Sequence, residues 1–158
     1  MKINVKGKND KLTNTETKKI VYVVISNLIS DRLKQNIEIN IEYKVLPRTI
    51  KGSTIWVDRN YRPREFLVEI NSTYSKKSQI ETLAHELVHV KQFAKGELRC
   101  LVRPESNLYW FSEKYKPLAN AEKYSDYCLL PWEIEANGMT EGLVAKYYES
   151  IGAYKRKK

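Results

Sequence analysis

The sequence predicts an α+β domain, and three observations carry that reading. Ile37-Glu38-Ile39-Asn40-Ile41-Glu42-Tyr43-Lys44-Val45 alternates apolar and polar residues almost without a break, the pattern of a strand with one buried face. Ser75 to Ala94 carries an apolar stripe at helical spacing through Ile80, Leu83, Ala84, Leu87 and Val88, with Gly96 where a helix-ending glycine belongs. Pro131 stands at the first turn of a last helix that runs to about Ile151.

The remaining elements follow in chain order. Thr13 to Gln35 opens on turn-prone polar residues and continues apolar at Ile20, Val23, Val24, Leu28, Ile29 and Leu33. That spacing predicts an amphipathic helix, although the β-branched run Ile20–Ile25 taken alone would also suit a strand. Pro47 ends the alternating strand. Ser53–Val57, introduced by Lys51-Gly52, and Glu65–Ile70 are the second and third strands. In the Ser75–Ala94 helix, Ser78 and Glu81 have capping-box spacing. From Lys95 to Leu130 the pattern is weak and rich in tyrosine, predicting a long irregular connection with a short helix near Asn120–Tyr127. An unstructured stretch of that length inside a small domain is usually functional. The predicted order is helix, three strands, helix, long loop, helix.

Whole-chain properties narrow the function classes. A chain of 158 residues, 42% hydrophobic and 30% charged, suits one globular domain, placed at 1–154 with a basic tail at 155–158. No apolar run approaches the roughly 18–20 residues of a membrane span, and the N-terminus lacks a secretory signal. A cytoplasmic monomer without a membrane partner is expected. Cys100 and Cys128 belong to no CxxC pair and are expected as thiols. The net charge of +9 includes Lys155-Arg156-Lys157-Lys158. It is compatible with a nucleic-acid partner, but no nucleic-acid module accompanies it, and a solvated tail is the simpler account.

The chemistry concentrates in His85-Glu86-Leu87-Val88-His89. Side chains four apart on a helix project from one face, so the two imidazoles can reach one metal ion. These are the only two histidines in the chain, and random placement would set them four apart roughly one time in a hundred. Glu86, one position round the helix, can take the proton of a zinc-activated water. A catalytic zinc needs a third protein ligand, and without a third histidine that ligand must be a carboxylate. The best placed candidates lie in Pro131-Trp132-Glu133-Ile134-Glu135-Ala136-Asn137, with Asp126 a further alternative.

His85-Glu86-x-x-His89 followed by Glu133-x-x-Ala136-Asn137 resembles the gluzincin metallopeptidases, and within them the very small minigluzincins of microbes and phages. The resemblance spans most of the chain. It implies a zincin-like core of an N-terminal helix, a small three-stranded sheet, an active-site helix and a glutamate helix. It also implies Zn²⁺ as cofactor, hydrolysis of peptide bonds in a peptide or protein substrate, and Glu86 as general base. The zinc ligands become His85, His89 and Glu133, with Asn137 hydrogen-bonded behind a zinc-bound histidine. An aspartate commonly stands in larger gluzincins where this chain has Asn137. The alternative is a zinc-containing binding protein without activity, associated with nucleic acid. Two further expectations concern the surroundings: Gln92 shares the metal-facing side of the helix, and Glu65–Ile70 would be the edge strand that aligns a peptide.

Overall fold

The computed structural model describes residues 1–58, 60–100, 108–115 and 124–153, so the expected basic tail at 155–158 lies outside the described residues. The architecture is mixed α+β, as predicted. The elements are β1 (Lys2–Lys6), α1 (Asn14–Leu28), α2 (Asp31–Lys34), β2 (Glu38–Lys44), β3 (Gly52–Trp56) and β4 (Glu65–Asn71). They continue with α3 (Lys76–Lys95), β5 (Leu98–Cys100), β6 (Leu108–Trp110), β7 (Glu113–Tyr115), α4 (Tyr124–Cys128) and α5 (Pro131–Ser150).

The principal sheet has four strands in the order β1-β2-β4-β3 rather than the three expected, because the N-terminal residues add an edge strand. β1 and β2 are parallel, as are β2 and β4, whereas β3 runs antiparallel to β4. The parallel register sets Ile39 beside Phe66, Ile41 beside Val68 and Tyr43 beside Ile70. All six side chains are buried, so the period-2 pattern of both strands becomes one continuous apolar face. Burying each such side chain contributes on the order of 1.5–3 kcal/mol. Ile20, Val21, Val24 and Ile25 of α1 and Leu83, Leu87 and Val88 of α3 complete the core. β1 lies at the edge opposite β3, which keeps the N-terminal segment on the far side of the sheet.

Local signals explain the helix ends. Thr13 and Glu16 form a reciprocal capping box at the start of α1. The predicted helix to Gln35 breaks at Ile29, where Ser30 caps the separate turn α2. α3 is capped by Ser75, whose side chain accepts from the Ser78 N–H. The cap therefore sits one turn earlier than the Ser78/Glu81 spacing implied. At the other end Gly96 adopts φ 73°, and the Gly96 and Glu97 amides bond back to the Phe93 and Gln92 carbonyls. A left-handed residue with that bonding pattern is what glycine supplies most cheaply.

Where it is described, the long connection is more regular than expected. β5, β6 and β7 form a second, antiparallel three-stranded sheet, and α4 occupies Tyr124–Cys128. Three-residue strands are too short to leave a periodic signature in sequence. Trp110 and Tyr115 of this sheet meet the buried Trp132 ring, with centroids 6.4 and 5.3 Å away. The small sheet thereby braces the first turn of α5. Cys100 and Cys128 are not joined by a disulfide. No helix among the described residues is long and apolar enough to cross a membrane.

Candidate metal centre

α3 and α5 pack against each other, and the site lies between the middle of α3 and the first turn of α5. Pro131 starts α5 at its first position, which fixes the direction of the next residues. Glu133 then points inward, 3% exposed, towards the two histidines. His85, His89 and Glu133 form the one group among the described residues that could hold a metal ion, with their ligand atoms within 4.8 Å of one another.

The distances inside this group decide what it is suited to. His89 Nε2 lies 3.2 Å from His85 Nε2. His85 Nε2 is 3.3 Å from Glu133 Oε2, and His89 Nε2 is 3.3 Å from Glu133 Oε1. Charge-assisted N–H···O bonds close to about 2.7–2.9 Å, so these are long for ion pairs. Metal–ligand bonds of ~2.0–2.1 Å at tetrahedral angles put neighbouring donors about 3.3–3.4 Å apart. The two Nε2 atoms are thus spaced as donors around a shared ion, each faces a different oxygen of Glu133, and two imidazoles with one carboxylate make a donor set that zinc accepts.

Electrostatics fit the same assignment. Burial pushes the Glu133 carboxyl upward, but the His85 and His89 rings and the Tyr127 hydroxyl beside it outweigh that and hold the pKa at about 2. Glu133 is thus an anion throughout the neutral range. Burial opposes a charge on His89, yet Glu133 and Glu86 beside it raise its pKa overall. Glu86 is 7% exposed, and that burial pushes its carboxyl above the ordinary value, against the pull of both histidines and Thr54.

Glu86 stays out of the donor group and is held by the sheet. Thr54 Oγ1 of β3 lies 2.8 Å from Glu86 Oε2 and 2.9 Å from the Glu86 carbonyl oxygen. β3 can come this close to α3 because Gly52 opens the strand. A Cβ there would stand 2.7 Å from Thr82 Cγ2 and 2.9 Å from the Glu69 carbonyl oxygen. In front of the site lies an open groove of ≈ 790 Å³. Ile50, Lys51 and Gly52 line one wall, and Tyr127, Asn137 and Thr140 belong to the other.

The sequence-derived residues fall as follows. His85, His89 and Glu133 come together, and Glu86 lies beside them. Asn137 is exposed in the groove, and among the described residues no hydrogen bond ties it to either histidine. The partner of the His89 ring is Gln92, whose Oε1 is 2.7 Å from Nδ1. Glu135 turns away from the histidines towards Gln92 and Lys91, and Asp126 is exposed on α4. The strand expected at the sheet edge, Glu65–Ile70, is interior; the edge beside the site is β3.

Tyr127 and Thr54 have no signal in the sequence. Tyr127 donates to Glu133 Oε1 at 2.6 Å, and burial and that carboxylate push its phenol well above the usual range, so it remains a donor. A Tyr127→Phe change should lower the affinity of this group for a metal ion about 10-fold by releasing this oxygen. A competition titration against a chromophoric chelator measures it, and an unchanged affinity would remove Tyr127 from the site.

Fold and site together define an α+β protein with a His/His/Glu group, buried but for the half-buried His85, that could hold a metal ion and is flanked by a carboxylate. No family model matches the chain, and no curated protein or solved structure matches it.

Proposed function

We propose that this chain is a zinc-dependent metallopeptidase of the gluzincin kind, acting on peptide bonds of a peptide or protein substrate. The observation that carries the proposal is the close approach of His85, His89 and Glu133, with the two Nε2 atoms 3.2 Å apart and each 3.3 Å from one Glu133 oxygen, beside the separately held carboxylate of Glu86. A protein that only stored zinc would have no use for Glu86 at that place. Zinc bound by these three residues supplies a Lewis acid that polarises a carbonyl and acidifies a water.

The chain's own groups do the rest. Glu86 accepts the proton of the attacking water and later delivers it to the leaving amine; burial raises its carboxyl above the ordinary value, which strengthens it as a base. Thr54 anchors Glu86 Oε2, which leaves the other oxygen to carry the proton. Tyr127 holds Glu133 in place. β3 pairs on one side only, with β4, so a substrate in extended form would add along its outer edge through backbone hydrogen bonds.

The test is metal content together with cleavage. Purified protein should bind about one equivalent of zinc and degrade casein, with activity lost to a chelator and regained on adding zinc. Stoichiometric zinc without cleavage of any unfolded protein would favour the inactive binding protein, for which the charge of +9 is the only support. Absence of zinc binding would end both readings.

A further inference from the structure

Behind the metal-facing side of α3 runs a line of polar side chains, buried except for the half-buried Glu135, that the proposed reaction does not itself use. Gln92 Oε1 faces His89 Nδ1 at 2.7 Å. The Gln92 amide nitrogen donates to the Trp132 carbonyl and to Glu135 Oε2, each at 2.9 Å. Glu135 Oε1 lies 2.6 Å from Lys91 Nζ, and Glu97 Oε2 lies 2.7 Å from the same nitrogen. Gln92 is wholly buried, and Lys91 and Glu97 are 7% and 8% exposed.

An amide can be turned end for end, so its neighbours decide which way it points. Both amide hydrogens of Gln92 are taken by groups that cannot donate, a carbonyl and a carboxylate. Reversal would set the amide oxygen against both of them. Oε1 is therefore fixed towards His89, and an acceptor there requires a hydrogen on Nδ1. The lone pair of the neutral ring then sits on Nε2, the nitrogen that faces His85 and Glu133.

We infer that Glu135, steadied by Lys91, is a positioning residue that acts through Gln92 to fix the tautomer of His89. The inference rests on the metal-site reading above. It also gives a reason for an amide at position 92. A carboxylate bonded directly to the imidazole would make it a stronger ligand and add another negative charge to a site that already holds Glu86 and Glu133. Gln92 transmits orientation without that charge, and Glu135 keeps its own charge beside a cation.

The chain of contacts makes an ordered prediction. In Glu135→Gln, Lys91 claims the new amide oxygen, so an NH₂ is turned towards the NH₂ of Gln92 and its orientation is lost. Zinc affinity should fall about 10-fold. In Lys91→Met/Glu135→Gln the new amide is free to offer its oxygen to Gln92, and affinity should return to within about 2-fold of wild type. Zinc affinity is read by competition titration, and the absorption of the cobalt-loaded proteins reports the ligand geometry. Wild-type-like affinity in Glu135→Gln, or no recovery in the double variant, would overturn the inference.

A measurement on the wild-type protein needs no variant. Long-range ¹H–¹⁵N correlation of the zinc-free protein at alkaline pH should show His89 protonated at Nδ1. A bare Nδ1 overturns the inference even if the variants fail to fold. Wild-type protein that binds no zinc would instead overturn the metal-site reading, so the two failures are distinct.

Discussion

Glu86→Gln is expected to retain zinc at wild-type stoichiometry while casein turnover falls about 10²–10⁴-fold, the range over which a general base contributes. An amide can still accept a hydrogen bond from water, but it cannot take the proton at neutral pH. The surroundings favour a clean result. Thr54 has one hydroxyl hydrogen and faces two acceptors, the Glu86 carbonyl and Oε2. An amide at position 86 could donate to the threonine oxygen while the hydroxyl serves the carbonyl. Loss of a buried carboxylate also removes a desolvation cost. The melting temperature of Glu86→Gln should therefore equal or exceed that of wild type, so lost activity could not be blamed on unfolding. Equal activity in the two proteins would take Glu86 out of the mechanism.

The grouping of His85, His89 and Glu133 is more legible in the sequence than the sheet around it, for physical reasons. A helix repeats every 3.6 residues, so His85 and His89 declare a shared face without reference to the rest of the fold. The same periodicity separates Glu133 from Glu135 by about 200°, and the two acids do face different neighbours. Sheet position has no such local code. β2 and β4 both alternate, yet nothing in Glu65–Ile70 says whether it is an edge or an interior strand; the antiparallel placement of β3 decides that. β1 leaves a weak pattern because its five residues at a terminus are half-buried or exposed, although Ile3 and Val5 do alternate with polar neighbours. Contacts such as Thr54 to Glu86 and Tyr127 to Glu133 depend on how separate elements approach one another. Gly52 permits the first approach, but a glycine after a lysine reads in sequence only as a turn.

Removing the carboxylate ligand is the second large effect expected. Glu133→Ala should weaken zinc binding by at least ~100-fold, the upper end of what loss of an outer hydrogen-bonding partner costs. Three groups converge on this one side chain: Nε2 of each histidine at 3.3 Å and the Tyr127 hydroxyl at 2.6 Å. Alanine leaves two imidazoles, one protein ligand short of the three that a catalytic zinc site needs. Asp126→Ala should bind as wild type because Asp126 is exposed on α4 and outside the donor group. Glu135→Ala should lie between them, since Glu135 touches Gln92 rather than the histidines. Thermal unfolding gives a second reading. Zinc at 100 times its dissociation constant stabilises the folded state by about 2.7 kcal/mol, so wild type and Asp126→Ala should melt higher with zinc. At the same zinc concentration Glu133→Ala should show almost no rise, because its dissociation constant would then match or exceed the free metal. If Asp126→Ala were the variant that lost zinc, the ligand set would be an aspartate type and the gluzincin reading would be wrong.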